Sequence, residues 1–460
     1  MIRSAIAALL LLTTAPVAAQ TIAIVNGTVA TGDGSDPIQG ATVVIRDGKV
    51  VGAGQGVRVP ADAQVIDASG KWVTPGIVAG FSGLGLADVS GGAGGANDSS
   101  ARNGPFSAAI DVVPAINPLH QPIAANRNDG VTRAIVAPEA AKSIFAGQGA
   151  VIDTGADMDP ITRARVFQFV ELGENGADKA GGSRASAHIL FRNALREARE
   201  LARYAGPVSS ARTTSPDSRE QPVVRNPNES RLLGPDARRS DDVLLTRFDA
   251  AALVPVLQGR QYLAVHVERA SDILNVLELR REFPSLKLIL VGATEGWLVA
   301  DQIARSGVPV IASPVNDLPE SFEQLAATQS NVGRMRASGV NVSIGMIGDS
   351  HILFNDRQYA GNLVALTKLP GATGLSWGDA FAAITSGPAK AIGMGGQIGS
   401  LTPGAHGDVV IWSGDPLDPR TAAEQVYIDG VQQPLRSHHT RLLDRYRYLP
   451  RTELPEAYRH

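Results

Sequence analysis

The alternation of apolar and polar positions divides the chain into three parts. In residues 21–74 short apolar runs are cut by turn signals. Ile22-Ala23-Ile24-Val25 leads into Asn26-Gly27, the runs 41–45 and 49–52 flank Arg46-Asp47-Gly48, and 64–67 is a further strand. Asp-Gly between two β-forming runs is a strong hairpin signal. The same texture returns at 407–412 and 425–428, the latter facing Val431 across Asp429-Gly430. Neither set covers its own apolar face, so the two predict one small composite β-sandwich drawn from both ends of the chain.

Between these ends the period changes. Continuous apolar runs at 134–136, 166–170, 263–267, 287–291, 308–311 and 342–345 alternate with helical patterns at 187–204, 270–283 and 296–305. Strands without polar alternation, separated by amphipathic helices, predict a parallel sheet covered on both faces. Repeated over this length, the pattern predicts an α/β fold, a TIM-like (β/α)8 barrel. The expected division is therefore a targeting segment at 1–19, sandwich strands at 20–74 and 395–436, a barrel at 75–394, and a tail at 437–460. Residues 206–242, rich in Pro, Ser and Arg, form a polar insertion in the barrel, longer than the ~15 residues of ordinary loops. Gly91-Gly92-Ala93-Gly94-Gly95 lacks the helix-opening lysine of a phosphate loop and reads as a loop after the first barrel strand.

Composition narrows the possibilities. A chain of 460 residues, 44% hydrophobic, can bury a large core. With 42 basic and 45 acidic side chains its net charge is −3, which gives no case for nucleic acid as a partner. Arg3, the apolar run 5–12 and the small residues Val17-Ala18-Ala19 have the order of a signal peptide cleaved after Ala19. The run is too short for a membrane span, which needs about 20 apolar residues. The chain has no cysteine, so no lipoprotein anchor is expected, and an oxidising compartment suits it. The expected location is periplasmic or secreted, without a membrane anchor.

The chemistry gathers around Pro75-Gly76-Ile77-Val78-Ala79-Gly80-Phe81-Ser82-Gly83, an apolar run that passes a Pro-Gly turn into a buried strand. Further phrases are Gly147-Gln148-Gly149-Ala150-Val151, His266-Val267-Glu268-Arg269-Ala270-Ser271-Asp272-Ile273, Gly399-Ser400-Leu401-Thr402-Pro403-Gly404 and Trp412-Ser413-Gly414-Asp415-Pro416-Leu417. Together they resemble the amidohydrolase superfamily, and within it the imidazolonepropionase-like branch, over residues 21–435. The resemblance implies a barrel with a composite terminal domain. It also implies a divalent metal such as zinc, whose bound water opens a C–N bond in a cyclic amide or peptide-like small molecule.

The same resemblance assigns the site residues. His266 falls on a metal-ligand position, and period two along its strand puts Glu268 on the same side. The catalytic base falls on Asp349 in Gly345-Met346-Ile347-Gly348-Asp349-Ser350-His351, where a spacing two residues longer leaves Ile347 as the direct counterpart. The family's first His-x-His reads Phe81 and Gly83, its later histidine reads Gly292, and the phrase Phe169-Val170-Glu171-Leu172-Gly173-Glu174-Asn175 carries no lysine. A catalytic zinc takes three protein ligands and one open position, so His351 or Glu268 would have to complete the set. Arg184 is a candidate for binding an acidic group of the substrate, with a surface salt bridge as the alternative. His120 is expected at a loop rim, His188 at a helix start, and His406, His438 and His439 in solvent.

Three functions stay open. One is a metal-dependent hydrolase with His266 and His351 on the metal, Asp349 as base and Glu268 and Arg184 on the substrate. Another is a non-catalytic protein paired with a homologous subunit or its own copies, to which the arginine-rich tail could contribute. The third is a periplasmic module that binds a small molecule in the barrel. Metal decides among them, because free water keeps a pKa near 15.7 and zinc-bound water falls to about 7.

Overall fold

A computed structural model describes residues 21–88, 97–204, 244–345 and 352–447. The expected signal peptide, the loop at 91–95, the insertion at 206–242, Asp349, His351 and the last part of the tail lie outside the described residues.

The two ends of the chain build one sheet. Strands β1 (Thr21–Val29), β2 (Ile38–Arg46), β3 (Lys49–Gly54), β4 (Gln64–Asp67) and β5 (Trp72–Pro75) come from the first part. They are joined later in the sequence by β14 (Val409–Trp412), β15 (Ala423–Ile428) and β16 (Val431–Gln432). The order is β16-β15-β14-β5-β1-β2-β3, with β4 paired to β1, and the seam is the antiparallel pair β5–β14. Ile22, Ile24, Val43, Ile45, Val73, Val409, Ile411 and Tyr427 face one apolar cluster. Neither half could cover it alone, so the composite domain closes as expected. At the seam, fully buried Trp412 donates its indole N–H to Thr74 Oγ1 at 2.8 Å.

The second sheet is the barrel. β6 (Ile77–Ser82), β7 (Val131–Val136), β8 (Phe145–Asp153), β9 (Ile161–Glu171), β10 (Tyr262–Val267), β11 (Lys287–Gly292), β12 (Val310–Ala312) and β13 (Val342–Ile344) follow one another in sequence order. It departs from eight parallel strands at one place: β8 runs antiparallel to both β7 and β9. The connections 137–144 and 154–160 are shorter than the dozen or so residues that a parallel crossover needs, so this part is a meander. Gly147-Gln148-Gly149-Ala150-Val151 lies on that reversed strand. Between the first and last strands the backbones nearly touch. A Cβ built on Gly345 would stand 1.6 Å from the carbonyl oxygen of Gly80, so only glycine permits this approach.

Side chains alternate across the barrel wall. Val78, Phe81, Phe167, Phe169, Ala264, Ile289, Val291 and Ile311 fill the interior, while Ala134, Val170, Val265, Leu288 and Leu290 meet the surrounding helices. The helix Arg184–Tyr204 starts three residues before the pattern predicts, and the single helix expected at 270–283 is split into Ala270–Leu277 and Leu279–Glu282. No helix among the described residues is long and apolar enough to cross a membrane.

Barrel and sandwich are clasped by a buried cation. Arg133 on β7, 1% exposed, donates to both oxygens of Asp408 at 2.7 and 2.9 Å and to Asp429 Oδ2 at 2.9 Å. Asp153 lies 3.5 Å away. Burial would lower the guanidinium pKa, but these carboxylates raise it instead. Burial also works against ionisation of Asp429, yet His406 and Arg133 pull its carboxyl down to about 2. For Asp153 burial prevails and pushes the carboxyl up to about 6. His406 was expected in solvent. It is part-buried and hydrogen-bonded to Asp429, which belongs to this clasp.

Candidate functional site

The carboxyl ends of β9 and β10 bring three side chains together. Period two runs through Phe167, Phe169 and Glu171 on β9, and through Ala264, His266 and Glu268 on β10 and just beyond it. The two strands are parallel with His266 beside Glu171 in register. His266 Nδ1 is 2.7 Å from Glu171 Oε1, and His266 Nε2 is 3.0 Å from Glu268 Oε1. Both partners are acceptors, whereas a neutral imidazole has one N–H. The ring therefore donates from both nitrogens, as an imidazolium. Burial alone would lower its pKa, but Glu171 and then Glu268 raise it well above 6.5. Burial would raise the Glu268 carboxyl, and His266 with the Thr294 N–H brings it below its usual range.

The carboxylates are fixed in turn. Glu268, 3% exposed, accepts the Thr294 backbone N–H through Oε2 at 2.8 Å, which ties it to the turn after β11. Glu171 Oε1 also accepts the Gly173 N–H at 3.1 Å. Around this centre Arg184 spends its guanidinium on other acids. It donates to Asp272 at 3.1 Å and Glu323 at 2.9 Å, with Glu174 at 3.7 Å. Glu323 additionally accepts the Glu174 N–H, so loops after β9, β10 and β12 share one network. Arg184, a candidate for an acidic substrate group or a salt bridge, is engaged in salt bridges here.

Below His266 the barrel is aromatic. Phe81 packs on Phe169 edge-on at 4.7 Å and on Phe167 at 5.6 Å. Its φ of 74° is left-handed, an uncommon conformation for a bulky residue, and it falls where the β6–β7 register shifts. The resemblance puts the first position of the family's first metal clamp here. The position of its later histidine is equally closed. Gly292 has φ 89°, and a Cβ there would stand 2.6 Å from Glu268 Oε1 and 2.9 Å from His266 Cδ2.

Among the described residues the donor set is not arranged for the zinc that the family implies. His266 has no lone pair free while it serves two carboxylates, Phe81 and Gly292 offer no donor, and Gly83 has no side chain. Among the described residues no group of three His, Asp or Glu side chains is arranged to hold a metal ion. Of the residues read from the sequence, His266 and Glu268 are brought together and Arg184 stands in the surrounding network. Asp349 and His351 lie outside the described residues. Sequence reading passed over Glu171 and Glu323. The signal for Glu171 was available, since it continues the inward row of Phe167 and Phe169. Glu323 follows a short strand by a long loop, and nothing local in the sequence points to it.

The Amidohydrolase family matches residues 300–433, from the last barrel strands through the returning sandwich strands. The chain is similar to amidohydrolase tasK of Hapsidospora irregularis, 25% identical over 401 residues, which are 82% of this chain and 38% of that protein. The chain thus corresponds to well under half of that relative's length. It is similar to imidazolonepropionase of Acidiphilium cryptum (strain JF-5), 25% identical over 404 residues, covering 83% of this chain and 89% of that one. Among solved structures, an amidohydrolase from Thermotoga maritima MSB8 superposes with a TM-score of 0.74 at 23% identity, covering 90% of this chain and 100% of the other.

Proposed function

The chain belongs to the amidohydrolase superfamily, in its imidazolonepropionase-like branch, and from that premise we propose that it is an exported, non-hydrolytic member. On this reading the barrel is retained as a scaffold that acts by binding, and C–N hydrolysis by metal-activated water has been given up. The observation that carries the reading is the double engagement of His266, whose ring nitrogens are 2.7 and 3.0 Å from Glu171 and Glu268. A ring in that state cannot ligate zinc, and metal-free water supplies little hydroxide at neutral pH.

Kinship favours a second reading, in which the chain is a hydrolase. It would need His266 to leave both carboxylates and join a metal with His351, while Asp349 acts as base. One experiment separates the two. The mature protein is purified with zinc present, its metal content is measured, and it is assayed against cyclic amides and short peptides. The non-hydrolytic reading expects far less than one metal per chain and no turnover that a chelator abolishes. Stoichiometric metal with chelator-sensitive turnover would replace it with the hydrolase.

A further inference from the structure

The loop 313–330, between β12 and the helix Asn331–Ala337, reverses the usual order of a protein surface. Its polar side chains turn inward. Glu323 and Gln324 are buried; Glu323 accepts from the Glu174 N–H and Arg184, and Gln324 accepts the Glu320 N–H at 3.2 Å. Its large apolar side chains face solvent. Phe322 is 83% exposed, Leu318 78% and Leu325 66%, and Leu298 on the turn after β11 is half-exposed. The backbone is held in this posture, since Trp297 donates its indole N–H to the Ala326 carbonyl at 2.9 Å and Glu295 accepts the Ala326 N–H at 3.1 Å. Large apolar side chains fixed in water mark a surface that another molecule covers. We infer that this loop is one half of a contact between two copies of the chain, and that the helix His438–Tyr446 is the other half. The inference does not depend on whether the barrel binds a metal or hydrolyses anything.

Charge selects the occupant. From 306 to 333 the chain has no Lys, Arg or His, and the loop carries exposed Asp317 and Glu320 beside its apolar side chains. A membrane is a poor match, because anionic headgroups would repel these acids. The helix His438–Tyr446 is complementary. It presents Leu443 and Tyr446, three residues apart and each more than half exposed, so they share one face. Arg441 and Arg445 are exposed on the same helix, and the Arg445 guanidinium lies 5.3 Å from the centre of the Tyr446 ring. The one acid of the helix, Asp444, is paired with Arg436 at 3.4 Å, so it does not neutralise them. Among the described residues Asp317, Glu320, Arg441 and Arg445 have no ion-pair partner. Tyr and Arg are also side chains that protein interfaces concentrate. In one chain the two halves belong to different regions. The loop stands at the carboxyl end of the barrel, while the helix follows the sandwich strands and packs against Gln121–Asn128. A second copy can offer its helix to the loop and its loop to the helix, the reciprocal contact of a two-fold dimer.

Size-exclusion chromatography with light scattering reads the mass of the purified protein across concentration and salt. The expected mass is that of two chains, and the dimer should weaken as salt rises. Two variants reverse the charges, Asp317→Arg/Glu320→Arg on the loop and Arg441→Glu/Arg445→Glu on the helix. All four side chains are exposed, so each variant should fold, with unchanged circular dichroism. Each alone is expected to dimerise about tenfold or more weakly, because like charges then meet at both contacts. Mixed in equal amounts, the two variants are expected to form the dimer again, since every contact between them pairs opposite charges. Phe322→Ser/Leu325→Ser changes no charge and should weaken the dimer as well. A protein that stays a monomer, a dimer that neither reversal weakens, reversed variants that fail to recombine, or a dimer indifferent to the serine variant would each overturn the contact. So would a monomer that binds phosphatidylglycerol vesicles and loses that binding in Phe322→Ser, which would give the loop to a membrane.

Discussion

Removing the cation of the interdomain clasp is a demanding test of how the two domains hold together. Arg133→Met keeps an apolar chain of similar length and removes the charge. Arg133 and Asp408 are 1% and 2% exposed, so the variant leaves a carboxylate buried without its partner. Breaking a buried pair in this way costs about 3–5 kcal/mol. The outcome depends on Asp408 more than on the lost attraction, because Asp429 is 45% exposed and can turn to water. The double variant Arg133→Met/Asp408→Asn should therefore recover much of the loss, since it removes the orphaned charge. Urea unfolding of the single and double variants, followed by tryptophan fluorescence, measures both quantities. Trp412 lies in the sandwich seam and reports on it directly. A loss below about 1 kcal/mol for Arg133→Met, the value of an exposed pair, would refute the argument. So would a double variant no more stable than the single one.

Asp356 is buried, has an oxygen without a partner, and burial raises its pKa well above 3.8. A carboxyl held protonated gives full stability below its unfolded pKa and loses it as pH rises through the folded one. Asp356→Asn should therefore match the parent near pH 4 and exceed it increasingly at neutral and alkaline pH, measured by thermal midpoint across pH. His266 has a folded pKa well above 6.5. Its contribution is full below about 6.5 and fades as pH rises through the folded value. The alkaline decline of stability should thus flatten in His266→Gln. Glu268 is shifted down from 4.5, so its contribution is present above that value and is lost on acidification. Glu268→Gln should weaken the acid dependence, read from the same pH series. Gly345→Ala places a methyl 1.6 Å from the Gly80 carbonyl. The strands must part, and a loss of about 2 kcal/mol or more in urea unfolding is expected, of the order of overpacking a tight core.

The architecture was legible because its signals are periodic and local. The Asp-Gly hairpins at 47–48 and 429–430 and the apolar strands at 263–267 and 287–291 occur where the pattern puts them. The reversed β8 was not foreseen, since strand direction depends on connection length and Gly147-Gln148-Gly149 reads the same either way. The site was half legible. Period two paired His266 with Glu268, but the decisive acceptor, Glu171, is 95 residues away and adjacent only through strand register. The fate of Arg184 was undecidable for the same reason, as Asp272 reaches it from the helix after β10 and Glu323 from the segment after β12. The closure of Gly292 depends on two side chains of a neighbouring strand, which a single sequence does not juxtapose.

The most direct measurement is a crystal structure of the protein grown in excess zinc, with anomalous data collected on both sides of the zinc absorption edge. The account predicts no anomalous density at the carboxyl end of the barrel and His266 between Glu171 and Glu268. A zinc peak within bonding distance of His266 Nε2, with Glu268 swung away, would contradict it.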